Sequence, residues 1–256
     1  MKLKHYNEEM KKVIVLFCGY MFGDWVFEDI LSALHEFHVV VVEAAGASSA
    51  DIQGGSHFET VDWLHAYLSA KRIDNYFVAG HSMGGFVAQL YSHKYPSCVQ
   101  GMILLGSCAP SQFRLSHRSD ALPATRALFG LDKETFFKFA THNIFSTDLL
   151  SDEMSMAKLK EKFMEEFPVQ EKCEEQIMAM GGLINWSSNE SPIFACPTLV
   201  LMGRRDSIVA PDWSLALGNY LTGNCEFKII DSSHMFMYEE PAETAAHIIS
   251  WLARQA

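Results

Sequence analysis

Two runs near the N-terminus, VIVLF at 13–17 and HVVVVEAA at 38–45, are apolar throughout rather than at alternate positions. Strands of that kind are buried on both faces, as in a parallel sheet covered by helices. DNYFVAG at 74–80, GMILLGS at 101–107, CPTLVLMG at 196–203 and EFKIID at 226–231 continue the strand pattern. Between them the period lengthens. SHFETVDWLHAYLSAKR has helical spacing, with Ser56 and Glu59 placed as a capping box. MGGFVAQLYSHKY reads as a helix stopped before Pro96, and PAETAAHIISWLARQA as an amphipathic helix that starts at Pro241.

This order predicts an α/β fold: a mostly parallel, doubly wound sheet with helices on both faces. From 110 to 195 strand patterns disappear and the chain reads as helical, rich in Phe and Met. The predicted organisation is one domain, with residues 1–109 and 196–256 as the core and 110–195 as a helical cap inserted before a late strand. No internal repeat or low-complexity linker interrupts it.

Within that frame FVAGHSMGGFV at 77–87 sets Ser82 between Gly80 and Gly84, in the pattern G-x-S-x-G. One reading is a small-residue turn that lets a helix pack on a sheet. The other is a nucleophile on a sharp strand-to-helix turn, where the helix N-terminus faces any developing oxyanion. A strand before and a helix after favour the nucleophile. A serine hydroxyl then needs a base, and the base needs a group to hold its tautomer. Asp206 in LVLMGRRDSIVAP and His234 in FKIIDSSHMFMYEEP each follow a predicted strand, in the order serine, acid, histidine. Asp231 is the reserve acid, although its place three residues before the histidine suits a turn former.

Composition narrows the partners. There are 31 acidic and 20 basic residues, a formal net charge of -11, which argues against a nucleic-acid backbone or an anionic membrane surface. Six cysteines without a CxxC pair read as reduced thiols in a cytosolic protein with no structural metal. The polar N-terminus resembles neither a signal peptide nor a membrane span. A soluble, cytoplasmic protein that acts on a small apolar molecule, without metal or organic cofactor, is the expectation.

GHSMGG, PTLVLMGRRDSIVAP and SSHMFMYEEP, in this order over most of the chain, resemble the α/β-hydrolase superfamily. Length, an insert the size of four helices and MGGLINW before the acid strand are most similar to pimeloyl-ACP methyl ester esterases and related small bacterial carboxylesterases. The resemblance implies a catalytic triad of Ser82, Asp206 and His234. It also implies an oxyanion hole from backbone N–H groups, here Tyr20 and Met83, although Cys18-Gly19-Tyr20 stands where the family usually has His-Gly. It further implies ester hydrolysis through an acyl-enzyme, with a pimeloyl-carrier methyl ester as substrate and a place in biotin biosynthesis. Thioester hydrolysis and ligand binding without turnover are the alternatives.

Tyr20, Trp25 and Phe139 are candidate substrate contacts under an apolar cap, although Phe and Met at helical spacing also suit a core. Arg114, His117, Arg118 and Arg126 form a locally basic stretch that could meet an acidic acyl carrier protein or simply a solvent-facing helix side. VVVVEAAGASSA keeps only Glu43 and Gly46 of the family pattern after that strand. The short segment before VIVLF implies that an antiparallel edge strand is missing or very short.

Overall fold

The computed structural model describes residues 2–43, 56–113 and 118–255. The chain opens with β1 (Lys2–Tyr6) and β2 (Val13–Phe17), then a 3-10 turn at Asp24–Phe27 that leads into α1 (Glu28–Ala33). β3 (His38–Glu43), α2 (His57–Ala70), β4 (Tyr76–His81), α3 (Met83–Lys94) and β5 (Val99–Leu105) follow. A helical stretch comes next: α4 (Arg118–Phe129), α5 (Lys133–His142), α6 (Thr147–Ser151), α7 (Glu153–Glu165) and α8 (Gln170–Glu190). The chain closes with β6 (Thr198–Gly203), α9 (Pro211–Leu215), β7 (Cys225–Ile230), α10 (Phe236–Glu239) and α11 (Pro241–Ala253).

Among the described residues seven strands form one sheet in the order β1-β3-β2-β4-β5-β6-β7, parallel except for β1. The uniformly apolar strands are buried on both faces because each face has its own core. Val15, Val40, Val78, Leu104 and Val200 point to the side covered by α2 and α3. Leu16, Val41, Ala79, Ile103 and Leu201 point to the side covered by α1 and α11, where Ile30, Trp251 and Leu252 pack. The predicted capping box is present: Glu59 N–H donates to Ser56 Oγ at 3.3 Å and Ser56 N–H to Glu59 Oε2 at 2.8 Å. No helix among the described residues is long and apolar enough to cross a membrane.

The antiparallel edge is short, as expected: among the described residues it consists of the five residues of β1, hidden in the sequence by its lysines. Lys4 and Tyr6 each donate to the Asp24 carboxylate at 2.5 Å, and Lys2 lies 3.6 Å from Glu43, so charges that look solvent-bound secure the strand to the sheet. Burial alone would raise the Asp24 carboxyl; its bonds to Lys4 and Tyr6 prevail and hold it below the usual carboxylate value. Lysines on an edge strand also oppose pairing with another chain. Among the described residues the stretch between β5 and β6 holds five α-helices, with a short α6 between α5 and α7. Gly46 lies outside the described residues.

His57, the first residue of α2, is fully buried, and neither ring nitrogen has a hydrogen-bond partner among the described residues. Burial lowers its pKa from 6.5 to about 4. The unfolded chain therefore binds more protons than the folded one between those values, and stability falls as pH is lowered through the window. Urea denaturation at about pH 7.5 and 4.5 should show a loss of roughly 2–3 kcal/mol from this group that His57→Phe does not share. An equal loss in both chains would contradict the assignment.

Candidate active site

Ser82 occupies the turn between β4 and α3 with φ +51° and ψ -119°, a backbone region that a residue with a Cβ rarely adopts. Three hydrogen bonds hold it there. Its N–H donates to Leu105 O at 2.9 Å, while its carbonyl accepts from Gly85 N–H and from Ser107 Oγ, both at 2.9 Å. The flanking glycines permit the close approach. A Cβ on Gly80 would lie 2.2 Å from Gly84 O, and one on Gly84 would lie 2.2 Å from Phe17 O. The first turn of α3 thus sits directly against the ends of β2 and β4. Among the described residues no hydrogen bond occupies the Met83 N–H or the Tyr20 N–H.

Asp206 and His234 come together from the loops after β6 and β7. His234 Nδ1 lies 2.7 Å from Asp206 Oδ2, with both side chains almost fully buried. Asp206 Oδ1 accepts from the N–H groups of Ile208 and Val209, each at 2.8 Å. A carboxylate oxygen accepts, so the proton of this bond sits on Nδ1 and Nε2 is the ring nitrogen left outside the pair. Gly106, at φ +51°, gives the pair room: a Cβ there would lie 3.4 Å from both Asp206 Oδ2 and His234 Nδ1. The reserve acid Asp231 is exposed and lies 3.5 Å from Arg204, apart from the histidine.

The histidine loop is tied to the insert. Ser233 Oγ lies 2.7 Å from Ile144 O and 2.6 Å from Glu239 Oε1, and the Ser146 N–H donates to the same Glu239 oxygen at 2.7 Å. Glu239, Ser107 and Gly106 escaped the sequence reading. Their partners lie across the fold and leave no periodic trace, although the Gly-Ser at the end of a buried strand was the available signal for the last two.

Ser82 and His234 line one cavity of about 240 Å³ with Tyr20 and Met83. Phe22, Phe86, Ile144, Ile177, Met180 and Ile208 supply much of its apolar wall, the insert contributing Ile144, Ile177 and Met180. Among the described residues no Lys, Arg, Asp or Glu faces it. Two predicted contacts lie elsewhere. Trp25 is buried between Phe22 and Tyr238, with ring centroids 5.8 Å from each, and does not line the cavity. Phe139 is 66% exposed, because the buried side of α5 is taken by Phe136 and Phe137. Arg126 is bound to Glu174 at 2.7 Å, and Arg114 and His117 lie outside the described residues.

His81 fills the floor beside Ser82. It is 2% exposed, its Nε2 lies 3.2 Å from His234 O, and Nδ1 is buried with no partner among the described residues. Burial, followed by its neighbour His234, pushes its pKa well below 6.5. The ring therefore stays neutral as the Nε2–H tautomer, donating to the His234 carbonyl. Imidazole nitrogen NMR from about pH 8 to 5 should show one ring locked in that form, and protonation of His81 within that range would contradict it.

Residues 12–241 match the family model described as "alpha/beta hydrolase fold". The chain is 27% identical to the 2-hydroxymuconate semialdehyde hydrolase of Pseudomonas sp. (strain CF600) over 199 residues, covering 75% of this chain and 67% of that one. It is 32% identical over 108 residues to the 1-acylglycerol-3-phosphate O-acyltransferase of Arabidopsis thaliana, a stretch that covers 39% of this chain and spans only 26% of that relative. A thermophilic esterase from Thermogutta terrifontis superimposes with a TM-score of 0.84 at 18% identity, covering 99% of this chain and 93% of that one.

Proposed function

The chain belongs to the α/β-hydrolase fold family, and from that premise we propose that it hydrolyses a carboxylic ester through an acyl-enzyme on Ser82. The 2.7 Å contact of Asp206 with His234, which lines the same cavity as Ser82, carries this reading. His234 Nε2 takes the Ser82 proton as Oγ attacks the acyl carbon, then returns it to the leaving alcohol. Asp206 holds the imidazole tautomer and balances the imidazolium. The N–H groups of Tyr20 and Met83 receive the oxyanion, and the end of α3 adds its dipole to Met83. Water, deprotonated by the same histidine, releases the acid.

The cavity supports a neutral, apolar acyl or alkyl group. At about 240 Å³ it exceeds the roughly 150 Å³ void that accommodates benzene in a protein core. An ionised group would lose its hydration there without a countercharge, which costs several kcal/mol. A pimeloyl-carrier methyl ester fits this picture, since its reacting end is an uncharged ester on an aliphatic chain. A thioester would use the same groups, and the ratio of oxoester to thioester turnover separates the two substrates. Arg126, spent on Glu174, offers little to an acidic carrier protein.

With nitrophenyl esters of graded acyl length, kcat/KM should rise up to about fourfold per methylene, the equivalent of about 0.8 kcal/mol, until the cavity is filled. Ser82→Ala should lower kcat at least ~10³-fold and Asp206→Asn by about 10⁴. Turnover that survives Ser82→Ala would sink the acyl-enzyme. An acyl chain ending in a carboxylate should react at least about a hundredfold more slowly than its methyl ester.

A further inference from the structure

The loop after β2 contains a second strained residue, Met21, with φ +71°. Its N–H donates to Oε1 of Gln176 at 3.1 Å, a contact made from α8 across 155 residues, and Gln176 is itself 7% exposed. Beside it, Tyr20 Oη lies 3.0 Å from Thr125 Oγ1. The Thr125 hydroxyl gives its own proton to Ala121 O at 2.9 Å, so Tyr20 is the donor. Two polar groups of the insert therefore grip consecutive residues of the loop. Neither Gln176 nor Thr125 lines the cavity of Ser82; Gln176 faces a separate cavity of about 180 Å³ on the far side of Met21 and Phe22.

We propose that Gln176 is a positioning residue that acts through the loop, and this rests on the ester-hydrolase reading above. Gly19 precedes Tyr20 and offers the chain a pivot. With the Met21 N–H fixed by Gln176 and the Tyr20 side chain fixed by Thr125, the Gly19–Tyr20 peptide has little freedom left. Its N–H is held ready for the oxyanion before substrate arrives, and the left-handed Met21 persists because the insert determines it from outside. Placement matters more here than in a site with side-chain donors, since a backbone N–H cannot change rotamer to follow a displaced substrate. The insert is thus part of the catalytic geometry as well as the wall of the cavity.

Gln176→Met keeps the length and removes the acceptor, whereas Gln176→Glu keeps an acceptor oxygen. Gln176→Met should lower kcat on a nitrophenyl ester by about tenfold or more with KM within about twofold, and Gln176→Glu should recover most of the loss. Amide exchange of residues 19–25 should quicken about tenfold or more in Gln176→Met alone. Wild-type turnover that depends on Ser82 together with an unimpaired Gln176→Met, or unchanged loop exchange, overturns the positioning role and leaves the esterase intact. A Gln176→Met defect confined to KM, or one that Gln176→Glu does not relieve, also overturns it. Absence of Ser82-dependent turnover in the wild type defeats the esterase reading and the catalytic role together.

Discussion

One steric constraint organises the site: the first turn of α3 lies so close to the end of β2 that only glycine fits at position 84, where a Cβ would lie 2.2 Å from Phe17 O. That approach places Ser82 above the sheet in a strained conformation and brings the α3 N-terminus beside the loop that begins at Cys18. Met83 and Tyr20, 63 positions apart in sequence, reach the same cavity as a result. The strain at Ser82 is sustained by hydrogen bonds from strand ends and from Ser107, elements that a whole buried sheet holds still. Loss of that close approach would relax serine, helix dipole and loop at once.

The second organising feature is the division of work within the insert. Its Phe and Met residues split between three environments. Phe136, Phe137 and Phe163 complete the core on the α1 and α11 side, Met180 lines the cavity of Ser82, and Phe139 and Met178 face solvent. Two of its buried polar side chains and part of its backbone serve the loops instead. Gln176 and Thr125 hold the loop after β2, while the backbone at Ile144 and Ser146 meets Ser233 and Glu239 beside His234. A helical insert that supplied only apolar cover would leave both loops free to shift. Hydrogen bonds from it restrict them because each removes a polar group from water and must be matched in place.

The site's low charge follows from the same arrangement. His81 and His234 stand in contact, ring centroids 4.7 Å apart, and burial keeps His81 neutral so that only one of the pair is available to carry a proton. The Cys18 thiol, buried and pushed well above its ordinary value of 9.0 by desolvation, adds no charge nearby. Cysteine in place of histidine after β2 leaves the Tyr20 backbone N–H unaltered, since that group belongs to the main chain.

Much of this was legible in the sequence, because strands buried on both faces read as continuous apolar runs and each chemical residue follows one at a strand's end. VIVLF became β2 without adjustment, Ser56 and Glu59 formed their box, and Ser82, Asp206 and His234 stood in loops where the strand pattern put them. β1 was hidden because its lysines look solvated until Asp24 and Glu43 are seen beside them. Trp25 and Phe139 were misplaced because helical spacing tells which residues share a face but not what that face meets. Local pattern thus determined the sheet, its order of helices and the chemistry each loop carries. Tertiary structure alone decided which apolar side chains form a cavity and which distant polar groups fix its loops. Those contacts join residues 89 to 155 positions apart, where neither period nor propensity leaves a mark.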